Sequence, residues 1–444
     1  MNRDPRFPQM ADALNPAVMG PLLGWVLGMP GIKTGHVECC ISEKRHKPGK
    51  SLVIGYRLKA QSNKVLQSRY VTGRLCPPGA ASRECELARS KRPDLAAGAL
   101  MFLHEPAMLI WAFPYDRKLI NLPALLDAES VKSRIGAPDL TGDDRVLAVE
   151  SEVLHYLPEQ SCMIRYRVSL AGSDQTRLLY AKNYADDSGR DVFKVMRQLS
   201  SQFSWGAKAL AYDAQTRTLW QSHVPGRTLC WADLQTAKGL ALAERIGHCA
   251  AAFHACKIDT VQRFSQSDVT EGLLATVRLA EQTRPELAEP IESRVAGLLA
   301  DELNLPKPAL ATLHHDLKLN NFLVDGDKLG LIDLDCVCLG DPLADLASLI
   351  ANFYLHGLRE GDSVEQVHPL VKQLVGSYMA HSVHAVSLPA LHWQVAAALI
   401  HEVTRRSLRQ MDDLRIAHIQ SYLTLSESYL ALSRQPTGAG DALI

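Results

Sequence analysis

Apolar and polar residues alternate from Val37 onward in a manner that predicts strands. Ser51-Leu52-Val53-Ile54-Gly55-Tyr56-Arg57-Leu58 reads as one strand and Val65 to Thr72 as the next, turning through polar Gln61-Ser62-Asn63. A short helix over Ser82 to Arg89 and a strand over Met108 to Phe113 follow. The same order then recurs. His155 to Gln160 leads into Cys162-Met163-Ile164-Arg165-Tyr166-Arg167-Val168, a turn at Ala171-Gly172-Ser173-Asp174, and a strand over Arg177 to Tyr184. A helix begins near Asp191, and a strand covers Arg217 to Gln221.

At one fixed offset, without gaps, Pro48 falls on Pro158, Ser51 on Ser161, Ile54 on Ile164 and Tyr56 on Tyr166. Arg57 falls on Arg167, Tyr70 on Tyr180, Arg117 on Arg227 and Leu119 on Leu229. Such a run predicts an internal duplication of a small sheet-plus-helix unit. Ahead of both copies, residues 1 to about 35 carry several Pro and Gly and predict a short helix with loose flanks.

Beyond Arg227 the spacing becomes helical. Leu242, Ile246, Cys249 and Phe253 recur on one face, with His248 and His254 as packing or capping residues. Glu271 to Ala300 reads as helix broken at Pro285 and Pro290. Asp345 to Tyr354, Val364 to Ala380, Leu391 to Gln410 and Ile416 to Ser433 follow as helices. The end, Pro436 to Ile444, reads as a mobile tail.

One stretch departs from both periods. From Leu313 to Leu346, a polar cluster of His314, Asp316 and Asn321 precedes the apolar run Phe322 to Val324. A turn at Asp325-Gly326-Asp327 and a second apolar run, Leu329 to Ile332, lead to Asp333 and Asp335. The pattern predicts a hairpin that sets Asp316 and Asn321 just before its first strand and Asp333 at the end of its second. Two carboxylates and a carboxamide together form a hard-oxygen site, suited to Mg2+ and a phosphate and not to zinc.

Composition narrows the setting. A chain of 444 residues with 47% apolar and 22% charged residues has material for two or three domains. Lys+Arg and Asp+Glu both number 48, so no general basic field is available to hold a nucleic acid. The ten cysteines contain no CxxC pair, and Cys39-Cys40 and Cys336-x-Cys338 read as reduced thiols of a cytoplasmic protein. The apolar stretch Val18 to Met29 is broken by glycines and Pro21 and is too short to cross a bilayer, so no membrane association is expected.

His314-x-Asp316-x4-Asn321, then Ile332-Asp333-x-Asp335, then Gly340-Asp341-Pro342-x2-Asp345-Leu346 resembles the aminoglycoside phosphotransferase and choline kinase superfamily. The resemblance covers about residues 145 to 430 and leaves the first 140 outside the common core. It implies an α+β, protein-kinase-like fold: a small antiparallel-sheet lobe, a large helical lobe, and here an extra N-terminal α+β domain resembling a degenerate small lobe. The implied division is residues 1–140, 141–226, 227–435 and a tail of 436–444. An N-terminal cap of this kind is reminiscent of maltokinases.

The resemblance also assigns roles. Asp316 becomes the catalytic base, and Asn321 and Asp333 hold Mg2+ against the phosphates of ATP. Lys182, within Leu178-Leu179-Tyr180-Ala181-Lys182-Asn183-Tyr184, becomes the strand lysine at the phosphates. Ser222, His223 and Val224 form a hinge at the purine edge, with Gly226 opening the chain. His314, Asp335 and Asp191 are accessory candidates, Asp191 standing where a helix glutamate is usual. Asp341 and Asp345 are structural, Asp341 tying down the catalytic loop and Pro342 opening the next helix.

Two departures accompany this. No glycine-rich loop precedes Lys182, where Tyr156-Leu157-Pro158-Glu159-Gln160-Ser161 stands, and the helix from Asp191 has no Glu. At the fixed offset Thr72 falls on Lys182, so the first copy lacks the lysine. The expected activity is ATP-dependent phosphorylation of a small-molecule hydroxyl: a sugar, an amino alcohol or an aminoglycoside-like compound. A nucleotide-binding regulatory module without turnover is the alternative. A protein kinase is disfavoured, because only six residues separate Asp333 from Gly340. Glu360, Asp362, Trp393, His401 and Glu402 are acceptor-side candidates, and oligomeric state is left open.

Overall fold

The structure, a computed structural model, describes residues 4–29, 37–62, 65–136, 138–142, 144–172, 176–307, 309–411 and 413–435. The chain divides into two compact units, residues 1–190 with 210–221, and residues 191–209 with 222–444. The tail from Pro436 and parts of the turns at Asn63 and Ser173-Asp174 lie outside the described residues.

The first unit holds two five-stranded sheets. β1 (Val37–Lys47), β2 (Ser51–Ser62), β3 (Val65–Leu75), β4 (Leu100–Leu103) and β5 (Met108–Ala112) form the first, in the order β1-β2-β3-β5-β4. β6 (Val146–Leu157), β7 (Ser161–Leu170), β8 (Arg177–Tyr184), β9 (Ala209–Asp213) and β10 (Thr218–Ser222) form the second, in the order β6-β7-β8-β10-β9. Each has a helix between its third and fourth strands, Ala81–Ser90 in the first and Ser188–Leu199 in the second. The strand over Ser51 to Leu58 therefore runs longer than the pattern indicates, because the ladder to β3 pairs Gln61 with Leu66 where a turn is expected. β4 and β9 escape the sequence reading because neither short edge segment alternates clearly.

The repeat extends to the cover of each sheet. Tyr56 is buried in β2 and donates its hydroxyl to the carbonyl of Ala13 at 2.7 Å. Tyr166, its partner at the fixed offset, is buried in β7 and donates to the carbonyl of Leu125 at 2.8 Å. Ala13 ends the helix Met10–Ala13, and Leu125 belongs to the helix Leu122–Leu126. Each tyrosine thus brings roughly 2 kcal/mol of apolar burial and satisfies its own polar end. Leu122, Leu125, Val131 and Ile135 pack on Ile164, Tyr166, Val168 and Leu179 as one core. On the first sheet, Cys85 of the helix Ala81–Ser90 packs with Leu109 and Trp111.

One detail corrects the ungapped alignment. Across β2–β3 Val53 faces Arg74, whereas across β7–β8 its offset partner Met163 faces Lys182. The other neighbour agrees: Cys76 donates its N–H to Ala107, and Tyr184 donates to Arg217, the offset partner of Ala107. The first hairpin is longer by one pair. Arg74, and not Thr72, is therefore the register counterpart of Lys182.

The second unit is mainly helical, with two small sheets. β11 (Arg227–Thr228) pairs with β13 (Phe322–Asp325), which pairs with β14 (Lys328–Leu331), while β12 (Ala311–Leu313) pairs with β15 (Cys338–Gly340). The helix Pro342–Glu360 is buried nearly all round, through Leu346, Ile350, Phe353 and Tyr354, and centres this unit. Asp341 caps its start by accepting from Leu343 N–H, Pro342 fills the first helical position, and Gly361 closes it at φ 93°. The helices Gly239–His254 and Val364–His381 pack closely because Gly247 has no side chain; a Cβ there would lie 2.3 Å from the Leu374 carbonyl oxygen. No helix among the described residues is long and apolar enough to cross a membrane.

Candidate active site

The predicted hairpin forms as β13 and β14. Phe322 faces Leu331 and Asp325 faces Lys328, and Gly326 takes φ 57° in the turn between them. His314 follows β12, entirely buried, and its Nε2 lies 3.0 Å from the carbonyl oxygen of Ile332. Ile332 in turn donates its N–H to the carbonyl of Asn321 at 2.9 Å. These two bonds bind the loop before the hairpin to the residue that precedes Asp333. Asp333 itself sits in the left-handed region at φ 66°, ψ 60°, a conformation that bends the chain sharply after β14.

Asp345 anchors the loop from below. Its carboxylate accepts the N–H groups of His314 at 2.5 Å and His315 at 2.8 Å, and His315 is held at φ 58°. His254 approaches the same carboxylate through Nε2 at 3.3 Å, with its Nδ1 2.7 Å from the Tyr378 hydroxyl. Burial raises the carboxyl's proton affinity, but the His254 hydrogen bond and the two nearby histidines outweigh it, leaving Asp345 below the ordinary carboxylate range. The tying role expected of Asp341 therefore belongs to Asp345, one helical turn further on. Asp341 is the helix cap, with burial raising its proton affinity.

Asp316 is flanked by two cations. Lys318 Nζ lies 2.5 Å from Oδ2 and Arg406 Nη2 lies 3.7 Å from Oδ1. Asn321 donates Nδ2 to the Asp316 carbonyl at 2.9 Å and is nearly buried. Its amide donors are directed at Asp316, so the oxygen is the atom it can offer a cation. An oxygen from Asn321 and the carboxylate of Asp333 make a donor set that fits Mg2+. Among the described residues no group of three His, Cys, Asp or Glu side chains could hold a metal.

A small pocket opens beside Asp316, lined also by Ser348, Asn352, Glu402 and Arg406. Asn352 fixes the loop by accepting the Leu319 N–H at 3.0 Å. Glu402 lies in a π-helical turn, Leu399–Thr404, where the expected helix Leu391 to Gln410 changes its winding. Ser348 donates its hydroxyl to Glu402 at 2.5 Å. Enclosure by protein pushes the Glu402 carboxyl up to about 7, only partly offset by Ser348 and Arg406. Its neighbour His401 is pushed down to about 3 by the same burial, helped by Arg405. Of the other acceptor-side candidates, Trp393 is fully buried and donates to Leu298, and Asp362 accepts from Trp231 and Gln235. Both are structural. Glu360 ends its helix away from this pocket's lining.

The remaining candidates fall as follows. Lys182 is 9% exposed in β8, with its Nζ 5.9 Å from the centre of the Tyr184 ring. Asp191 is an exposed carboxylate at a helix start, 2.9 Å from Lys194. Ser222 exchanges bonds with Lys208, donating its N–H to the carbonyl and accepting at Oγ, both at 2.9 Å. His223 is exposed and Val224 half-buried, and Gly226, at φ 115°, runs so near Val324 that a Cβ would sit 2.7 Å from its carbonyl oxygen. Asp335 lies in a short 3-10 turn after Asp333. Lys318, Ser348 and Arg406 were not singled out by the sequence. Lys318 could have been, two residues from Asp316 in the loop, but nothing in the sequence links Arg406 to it.

A sheet of five antiparallel strands with one helix inserted, leading into a helical unit that carries this loop and hairpin, is the protein-kinase-like fold. Residues 172–368 match the model of the phosphotransferase enzyme family, so this part of the chain is a small-molecule kinase domain. Among solved structures, a putative aminoglycoside phosphotransferase from Ralstonia eutropha is similar at 12% identity and a TM-score of 0.52, covering 69% of this chain and 99% of that one. A choline/ethanolamine kinase family protein from Mesorhizobium loti aligns at 16% identity and a TM-score of 0.47, covering 69% and 95%. Choline kinase from Streptococcus pneumoniae aligns at 18% and 0.45, covering 68% and 99%. A search of curated proteins finds no match.

Proposed function

We propose that the protein transfers the γ-phosphate of ATP to a hydroxyl group of a small molecule, with Asp316 as the base. The observation that carries this reading is the fixing of Asp316 beside Asn321 by Asp345, Asn352 and the Ile332 carbonyl. A rigid carboxylate at the mouth of a small pocket can take the proton of a hydroxyl bound there as its oxygen attacks phosphorus. Phosphoryl transfer demands mainly alignment and neutralised charge. Lys318 and Arg406, beside Asp316, are placed to face negative charge on the transferring group. Lys182 is assigned to the nucleotide phosphates, and the backbone from Ser222 to Val224 to the purine. Asn321 and Asp333 would hold Mg2+, which when bound neutralises phosphate oxygens. In the same reading residues 1–140 act as a cap to a small lobe of 141–226.

On the acceptor side, Ser348 and Glu402 supply a hydroxyl and a carboxyl that titrates near neutrality. Such a pair hydrogen-bonds neutral hydroxyls as readily as it meets a cation. Sugars, amino alcohols and aminoglycoside-like polyols therefore form the acceptor set. The test is ADP release from ATP across such a panel, with Glu402→Gln beside the wild type. A fall in acceptor kcat/KM of roughly tenfold or more, with the nucleotide KM unchanged, is expected. Equal kinetics on every accepted compound would remove Glu402 from the acceptor site.

A further inference from the structure

The turn between β6 and β7, Leu157 to Ser161, stands where the sequence lacks a glycine-rich loop. Its tip is Glu159, 3% exposed and held at φ 58°. Three arginines of the first sheet's half of the unit close on its carboxylate. Arg117 donates through Nε at 2.7 Å and Nη2 at 2.9 Å, Arg74 lies 3.3 Å from both oxygens, and Arg45 lies at 3.2 Å. Asp116 completes the grip by accepting the Glu159 N–H at 2.9 Å and the Tyr156 hydroxyl at 2.6 Å. Thr72 meets that same hydroxyl at 3.0 Å.

Arg74 is the register counterpart of Lys182. The first sheet thus has a cation at the place where the second has its phosphate lysine, and that cation holds a carboxylate from the second sheet. A bidentate Arg117 alone would satisfy the charge of Glu159; three guanidinium groups immobilise it. The turn is not an amide cradle for phosphate, because Glu159 N–H goes to Asp116 and Gln160 N–H to Leu157. Its effect runs along the ladder. Gln160 accepts from Ala185 N–H, Ser161 faces Tyr184, Cys162 faces Asn183 and Met163 faces Lys182.

We propose that the first sheet, through the Arg45–Arg74–Arg117 clamp on Glu159, sets the position of Lys182 for the nucleotide phosphates. Glu159 is then a positioning residue, and the N-terminal half of the unit is a fixed part of the nucleotide site. This rests on the assignment of Lys182 to the phosphates. The experiment is calorimetric binding of AMP-PNP with Mg2+ to the full chain, using wild type, Lys182→Met, Arg74→Gln and Glu159→Gln. Arg74 is partly exposed, so Arg74→Gln keeps the test open where Glu159→Gln does not fold.

Roughly tenfold weaker binding for Glu159→Gln and severalfold for Arg74→Gln are expected. Hydrogen exchange should quicken over Leu157–Tyr184 in both. No binding by the wild type, or no loss in Lys182→Met, overturns the nucleotide assignment itself. Loss in Lys182→Met, with wild-type affinity in a folded Arg74→Gln, overturns the clamp alone.

Discussion

The two sheets of the first unit share strand order, inserted helix and a buried tyrosine that bonds to the helical cover, and yet they differ at one register position. The second sheet presents Lys182 there and the first presents Arg74. Lysine is a compact ammonium suited to meeting a mobile phosphate, whereas arginine is a rigid fork suited to a fixed carboxylate. The family match begins at residue 172, within the second copy, and the first copy lies outside it. In the reading proposed above, one architecture serves two ends, ligand contact in one copy and bracing in the other. We propose a duplication as its origin.

The largest effect that separates the copies is expected from exchanging these two cations. Lys182→Met should lower kcat/KM for ATP by roughly a hundredfold or more, by removing the charge assigned above to the phosphates. Arg74→Met should change nucleotide affinity only severalfold and leave kcat unaltered. Steady-state kinetics of the two variants side by side make the check, and equal losses would erase the distinction.

Glu159→Gln comes next. It leaves three arginines around a neutral amide and should cost about 3 kcal/mol in denaturant unfolding. The same group makes the contact pH-dependent. Burial raises the Glu159 carboxyl, but Arg117, Arg74 and Arg45 together bring it below the ordinary range. A depressed folded value means that the stabilisation is complete above the unfolded value near 4.5 and is lost as pH falls through the folded one. Thermal unfolding of the wild type should therefore lose stability below about pH 4.5, and Glu159→Gln should show a shallower acid decline.

The smallest effect tests the likeness of the copies. Tyr56→Phe and Tyr166→Phe each remove one hydroxyl from a backbone carbonyl, and each should cost about 1 kcal/mol. A cost in one and none in the other, read from chemical denaturation, would show that the two covers are not equivalent.

Much of the geometry around Asp316 was legible because its signals are local. His314, Asp316, Asn321 and Asp333 lie within one short span, and the intervening turn has its own signal at Gly326. The repeat was legible for a similar reason, since Tyr56 and Tyr166 recur in matching strands. What escaped depends on pairing across space. An ungapped comparison set Thr72 on Lys182, because one additional pair in the β2–β3 hairpin is invisible without the ladder. Asp341 and Asp345 look alike in sequence, and only the three-dimensional path of the loop shows which carboxylate meets His314 N–H. The π-helical turn that aims Glu402 at Ser348 has no signature in a run of helix formers. Arg406 meets Asp316 from far along the chain.

In the proposed reaction Asp316 is the base for phosphoryl transfer to a small-molecule hydroxyl. Its most direct test is ATP-dependent phosphorylation over a panel of sugars, amino alcohols and aminoglycosides, comparing wild type with Asp316→Asn at equal, verified nucleotide binding. A phosphorylated product is expected with the wild type, and a loss of roughly a hundredfold or more in kcat with the variant. Phosphorylation of the same compound at the same rate by both proteins would contradict it.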